Sequence, residues 1–273
     1  RFAEMIHRER QRLALPPDYA ARIEKLGAES HWQMTQESQQ DDAEFRRTPN
    51  AIKGRRSLQL RGAATLVDEA DDNRSVRISE DGEFGCLIEA NGNQRPFVGD
   101  FTLSMFVQPT RLHSGTILVG RRWSGPDEGL SLVASLYTPP GRLARHGGSF
   151  PRPGMITRVS DPPRWQHGRE DMIEHVMMPL RWSHLTLRRQ HDRLSLWING
   201  RSIHERTVAQ ATPDFKTLVF GSNNANVNTS DWVQRVWVGY IDEIVLFDRA
   251  LDDNELVLLL GVPNLEGSST KSL

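Results

Sequence analysis

From Ser30 onward the chain runs in short stretches of alternating apolar and polar residues, each closed by Gly, Pro, Asn or Asp. The first of them are Trp32-Gln33-Met34, Ser57 to Leu60, Val76-Arg77-Ile78, Phe101 to Val107, Thr116 to Val119 and Leu130 to Tyr137. Trp182 to Leu187, Leu194 to Ile198, Thr217 to Phe220 and Val236 to Phe247 continue the series. A period of two sends successive side chains to opposite faces of a strand. Many short strands without helical crossovers predict an antiparallel sandwich or barrel. Asn199-Gly200 stands between Leu194–Ile198 and Ser202-Ile203-His204, the pattern of a two-residue type I′ hairpin whose turn residues both take positive φ.

Before Ser30 the pattern is helical. Arg1 to Leu15 is polar and helix-prone, with Phe2, Met5 and Ile6 as a thin apolar stripe, and Pro16-Pro17 ends it because proline cannot continue a helix. Asp18 is placed to cap a short helix from Tyr19 to Leu26, with Gly27 as its stop. One later helix is predicted, from the acidic start Asp252-Asp253-Asn254-Glu255 to Leu260, stopped by Gly261. The organisation expected is therefore a helical lead or linker over 1–29, one β domain over 30–262 and a small, polar, flexible tail over 263–273. Residues 139–179 form a long insertion, inside which Met155 to Val159 reads as an added strand.

With 273 residues there is enough chain for two domains or for one large sandwich. Lys+Arg 34 against Asp+Glu 35 leaves a formal net charge of −1, which excludes a general polyanion binder, so no nucleic-acid partner is expected. Mean hydropathy is −0.53, and no stretch approaches the roughly 20 apolar residues of a membrane span. Cys86 is the one cysteine, so neither an intrachain disulfide nor a Cys-rich zinc site can form. The start at Arg1 rather than Met reads as the mark of a piece of a larger multidomain protein.

Several runs together carry a family resemblance. Phe101-Thr102-Leu103-Ser104-Met105-Phe106-Val107-Gln108-Pro109 resembles the F-T-x-S-x-W-V-x-P strand of laminin-G-like, concanavalin A-like jelly rolls. Arg181-Trp182-Ser183-His184-Leu185-Thr186-Leu187 is similar to their W-x-H-V-A strand, and Asp192 to Gly200 to their G-x-L-x-L-Y-V-D-G hairpin. Gly239-Tyr240-Ile241-Asp242-Glu243-Ile244 through Leu251, followed by Glu255, resembles the closing G-x-I-D-E-V-R-I-Y-N-R-A-L…E, and His31 to Met34 the opening Y-W-x-F strand. Each motif is weak alone, but they fall in the family's order from Tyr19 to Gly261. The resemblance implies an all-β fold: a two-sheet antiparallel jelly-roll sandwich with a short helical N-terminal lead and one short C-terminal helix. It also implies a glycan or protein ligand, often a structural calcium, and an extracytoplasmic bacterial setting. Fold by itself does not settle function.

Catalysis is not expected. The jelly-roll glucanases carry paired carboxylates as E-x-D-x-x-E on one strand, and no such run occurs here. Asp242 and Glu243 are adjacent, and alternation predicts opposite faces for them. Scattered histidines fit no metal-ligand spacing, and His184 is read as a sheet-face histidine with satisfied nitrogens. For calcium, which takes six to eight hard oxygens, the resemblance proposes Asp242. In the opening segment Gln36 stands where the family commonly has an acid, with Glu37 next to it.

Ligand candidates come from three segments. Gly120 to Glu128 sets Trp123 beside Arg121, Arg122 and Asp127, the composition of a sugar-stacking site with hydrogen-bonding neighbours. The 139–179 insertion is locally basic and holds Trp165. Asn223 to Trp232 is amide-rich, with Asn226 and Trp232 as candidates, although Asn is also a turn residue. The function expected is a non-catalytic, carbohydrate-binding module. The alternatives are the ectodomain of a membrane-anchored anti-sigma-type regulator, a protein-interaction module, or, least expected, a glycoside hydrolase.

Overall fold

The computed structural model describes residues 10–35, 46–69, 73–80, 83–89, 99–111, 115–121, 129–137, 152–159, 169–173, 177–207, 217–222 and 236–260. Two eight-stranded antiparallel sheets form the sandwich. The first holds β1 (Ser30–Trp32), β4 (Thr65–Asp68), β5 (Arg74–Ser79), β7 (Phe101–Pro109), β12 (Ser183–Gln190), β13 (Arg193–Ile198), β14 (Arg201–Thr207) and β16 (Gly239–Phe247). They run in the order β14-β13-β12-β7-β16-β5-β4, with β1 also paired to β16. The second runs β11-β10-β9-β8-β15-β6-β3-β2, from β11 (Arg169–Ile173), β10 (Arg152–Val159), β9 (Gly129–Tyr137) and β8 (Gly115–Arg121) to β15 (Thr217–Phe220), β6 (Gly85–Glu89), β3 (Leu58–Gly62) and β2 (Arg46–Thr48). Every other predicted run falls on a strand, but of Trp32-Gln33-Met34 only Trp32 does, β1 ending there and Met34 taking φ 57; the strand expected within the insertion is β10. The alternation rule did not pick out β2, β4, β6 or β11, where charged residues or glycine interrupt the pattern.

One apolar cluster joins the inner faces. Leu103, Met105 and Val107 of β7, Leu185 and Leu187 of β12 and Ile241, Ile244 and Leu246 of β16 pack with Leu58, Leu87, Leu118, Leu218 and Phe220 of the other sheet. A second cluster lies on the outer face of the first sheet, where Phe106, Trp182, Tyr240, Val245 and Phe247 meet Leu13, Tyr19 and Ile23 of the lead. Leu251, Leu256 and Leu259, from the chain end that follows β16, complete it. The lead therefore folds onto the sheet.

Helix α1 (Tyr19–Lys25) matches the expectation at its C-terminus. Gly27 at φ 76 closes it with paired bonds from Gly27 N to the Glu24 carbonyl and from Ala28 N to the Ile23 carbonyl. Its N-terminus departs from it: the Asp18 side chain makes no cap bond and instead accepts from Arg22 Nε at 2.7 Å. Residues 11–16 are not helical: the Gln11 amide donates to the Leu180 carbonyl and the Leu13 amide to the Glu69 carboxylate, and Leu15, before a proline, is pushed from the α region. Helix α2 (Asp253–Leu260) starts with a reciprocal capping box: Glu255 N donates to Asp252 Oδ1 at 2.8 Å, and Asp252 N to Glu255 Oε2 at 2.9 Å.

The Asn199-Gly200 turn has φ 48 and 74, as type I′ requires. A Cβ on Gly200 would also stand 2.3 Å from Leu260 Cδ1, so the turn seats the end of α2. Gly200→Ala is expected to lower the unfolding free energy by about 1–2 kcal/mol, the cost of a left-handed backbone for an L side chain. Urea denaturation checks this, and an unchanged midpoint would contradict it.

Candidate functional site

The described polar side chains concentrate on the outer face of the first sheet, beneath α1 and the extended lead. Strand β7 supplies Thr102, Ser104 and Gln108, the polar half of its alternation, yet all nine residues of the strand are buried. Beside it His184 Nε2 and Ser104 Oγ are 2.6 Å apart, and the His184 backbone N donates to Asn199 Oδ1 at 2.8 Å. The imidazole lies 4.8 Å, centroid to centroid, from the Phe106 ring. Burial pushes His184 down to about 3, so it is neutral and bonded.

Asp242 and Glu243 form the second polar group. Strict alternation would part them, and the structure overturns that expectation. The register between β16 and β7 shifts between Asp242 and Val245, and Glu243 takes φ 48. A bulge of this kind re-aims side chains. Asp242 Oδ2 accepts from Asn73 Nδ2 at 2.9 Å and Oδ1 from the Glu243 backbone N at 2.8 Å. Glu243 pairs with His31 Nε2. Both carboxyls are raised well above the usual range, Asp242 by burial and then by the Glu243 charge, Glu243 by burial. Burial also pushes His31 down to about 4, so burial favours the uncharged form of both partners. Tyr19, raised by burial and then by these two acids, covers them, and its Oη has no hydrogen-bond partner among the described residues.

Tyr19 of the lead packs edge-on against the His31 and Phe106 rings, covering these groups. They are closed to substrate: Ser104 and Asp242 are fully buried, and His184, His31 and Glu243 nearly so. As for a metal, Asp242 is the single proposed calcium ligand within the described residues, and both its oxygens already accept hydrogen bonds. No three His, Cys, Asp or Glu side chains converge to hold an ion among the described residues. Gln36 and Glu37 lie outside them.

Most of the ligand candidates also lie outside the described residues: Arg122, Trp123 and Asp127 within 122–128, Trp165 within 160–168, and Asn226 and Trp232 within 223–235. The strand registers still locate the ends from which these segments depart. Arg121 closes β8 opposite Gly129 of β9 and Thr217 of β15. Val159 closes β10 opposite Leu130 of β9 and Arg169 of β11. The strands flanking Trp123 and those flanking Trp165 thus end side by side at one end of the second sheet. Strand β15 runs away from that end to Phe220, and the segment with Asn226 and Trp232 follows from there. Sequence reasoning missed Arg10, Glu69, Gln108 and Tyr240, which lock the lead in place. A signal was present in β7, where Phe106 falls at a polar position of the alternation and marks that face as covered.

The sequence profile of the Concanavalin A-like lectin/glucanases superfamily matches residues 81–257, more than half of the chain, and the chain belongs to that family. No curated protein matches it in sequence. Among solved structures, domain 4 of AbnA, a GH43 extracellular arabinanase from Geobacillus stearothermophilus, in complex with arabinotriose, superposes with a TM-score of 0.54 at 14% identity. That match covers 85% of this chain and 98% of the other. The binding domain of Paraclostridial Mosquitocidal Protein 1 gives 0.55 at 15% identity, covering 85% of this chain and 51% of that one. The receptor binding domain of botulinum neurotoxin C/D mosaic serotype gives 0.56 at 12%, covering 85% and 50%. The chain thus spans about half the length of the toxin domains it matches. These likenesses establish the jelly-roll fold.

A pH test follows from His184. Its folded value lies far below the ordinary 6.5. The stability it contributes is therefore complete above pH 6.5 and lost as pH falls toward about 3, at about 1.4 kcal/mol per pH unit. The raised carboxyls Asp242 and Glu243 act in the opposite sense, losing stability as pH rises above about 4, so the slope of the native protein alone is uninformative. The cost of His184→Gln should shrink by about 2–3 kcal/mol between pH 7 and pH 4.5. Denaturant unfolding of both proteins at each pH measures it; a cost independent of pH would show that His184 is not held neutral by burial.

Proposed function

We propose that this chain is a non-catalytic, carbohydrate-binding module of an extracytoplasmic bacterial protein. Its glycan is taken at the end of the second sheet where β8, β9, β10 and β11 terminate. The observation that carries this reading is the shared register of Arg121, Gly129, Val159 and Arg169. It gives the segments with Arg122, Trp123 and Asp127 and with Trp165 neighbouring points of departure. Aromatic rings beside guanidinium and carboxylate groups offer a sugar both a stacking surface and hydrogen-bond partners. The outer face of the first sheet is closed by the lead and α2, which leaves the loops as the ligand surface. Support also comes from the arabinotriose complex of the AbnA domain and from toxin neighbours described as binding domains. An extracytoplasmic place agrees with that extracellular neighbour, and no helix of the described residues is long and apolar enough to cross a membrane.

A glycan array tests the reading. Binding to one sugar class is expected, reduced at least tenfold by Trp123→Ala or Trp165→Ala with the melting temperature preserved. Trp232→Ala, in the segment that departs from β15 at Phe220, should leave affinity within twofold. Arrays blank for the native chain would overturn the glycan reading in favour of a protein ligand.

A structural calcium is proposed with it, which would have to ionise Asp242 and share its oxygens with the Asn73 and Glu243 donors, with Gln36, Glu37 and backbone carbonyls as further ligands. Calcium is expected to raise the melting temperature by several degrees over the same protein in chelator. Identical melts would remove the ion from the account.

A further inference from the structure

The lead is bound to the sheet in the way a peptide is bound by a receptor. Arg10 is buried, and its Nη1 donates to Glu69 Oε1 at 2.5 Å and to Gln108 Oε1 at 3.4 Å. The guanidinium carbon lies 4.2 Å from the centre of the Tyr240 ring, so a carboxylate, an amide oxygen and an aromatic face surround one cation. Ser75 Oγ donates to the same Glu69 oxygen at 2.6 Å. The backbone of the lead is read as well. Gln11 N donates to the Leu180 carbonyl at 3.0 Å, Gln108 Nε2 to the Gln11 carbonyl at 2.8 Å, and Leu13 N to Glu69 Oε2 at 3.0 Å. The Trp182 backbone N donates to Gln11 Oε1 at 3.1 Å. Leu13 itself is 2% exposed and fills a place in the outer apolar cluster with Tyr240 and Trp182.

All the receiving groups belong to the jelly roll or its connections: Glu69 and Ser75 around the β4–β5 turn, Gln108 on β7, Tyr240 on β16, and Leu180 and Trp182 just before β12. None comes from the lead. Glu69 does two jobs, holding the arginine with one oxygen and the amide three residues later with the other. This geometry selects an extended Arg-x-x-Leu segment. Residues 10–13 make no intrahelical bonds that would have to break on leaving, and Pro16-Pro17 separates them from α1.

We infer that Glu69, Ser75, Gln108 and Tyr240 form a peptide-binding site for an extended Arg-x-x-Leu segment of a partner protein, and that the chain's own residues 10–13 occupy it in cis as a displaceable strap. The site is independent of the proposed glycan surface. Gln108 and Tyr240 pair near the Pro109 end of β7 in the first sheet, whereas the proposed glycan surface is at the Arg121 end of β8 in the second. A partner carrying this motif would compete with the strap, so its affinity for the native chain is reduced by the fraction of sites the strap fills.

The probe is a fluorescein-labelled peptide with the sequence of residues 8–18, titrated into the full chain and read by fluorescence polarisation. Weak binding is expected to the native protein and at least tenfold tighter binding to the Arg10→Ala chain, whose own strap is unlatched. The same peptide made with Arg10→Ala should lose at least tenfold against that chain, and Glu69→Gln in the receptor should abolish the gain. Glycan binding should be unchanged throughout, which separates this result from the proposed function. Equal affinity for native and Arg10→Ala chains, or indifference to the peptide's arginine, would overturn the inference. So would an Arg10→Ala chain that no longer melts cooperatively, since a strap the fold cannot lose is not displaceable.

Discussion

Everything in this molecule follows from the need to cover both faces of one sheet. Strands β7 and β16, neighbours at the centre of the first sheet, are buried along all nine of their residues. An antiparallel sheet commonly keeps one face in water, with alternating polar positions toward it. Here the polar half of the alternation is withdrawn from water, so Thr102, Ser104, Gln108, His184 and Asp242 must each find a partner within the protein, because an unpaired buried polar group costs about 1–3 kcal/mol. The lead, α1 and α2 supply the cover. Thr102 Oγ1 donates to the Arg249 carbonyl and accepts from Leu251 N, tying β7 to the chain that enters α2. Gln108 does the same for the lead through the Gln11 carbonyl.

The cover divides the molecule's surfaces by task. Helices and the lead occupy the outer face of the first sheet, and the proposed ligand surface accordingly falls on loops of the second. The bulge in β16 belongs to this arrangement. By turning Glu243 toward His31, it lets the closing strand carry two adjacent acids beneath Tyr19 without leaving either unbonded. Neutral histidines and raised carboxyls are the electrostatic form of the same burial. Where no opposite charge is at hand, as it is for Arg10 and Glu69, a covered layer favours the uncharged states. For an enzyme such shifts would suggest catalysis, but these residues are bonded to each other and to Ser104, Asn73 and Asn199 and are closed off from solvent.

The strand pattern was legible wherever alternation was clean. Phe101 to Val107, Leu194 to Ile198 and the Asn199-Gly200 turn needed no tertiary information, because period and turn chemistry are local properties. So were Gly27 as a helix stop and the acidic start of α2, whose reciprocal Asp252–Glu255 bonds the structure adds. The short strands at Arg46, Thr65, Gly85 and Arg169 were hidden, since charges and glycine interrupt their pattern and pairing with neighbours decides them. For the candidate glycan site, the residue types could be read from the sequence, but the strand ends from which their segments depart come from strand register.

Local chemistry in the sequence alone thus determined an all-β chain with a hairpin at Asn199, a helix stopped at Gly27 and a family pattern from Tyr19 to Gly261. Tertiary structure decided what the lead does. Nothing local distinguishes a polar, proline-ended linker from a strap, because the difference lies in partners 59 and 98 residues away, Glu69 and Gln108. It likewise decided the facing of Asp242 and Glu243. Alternation is a rule for an unbroken strand, and a bulge is the response of a strand to its neighbours.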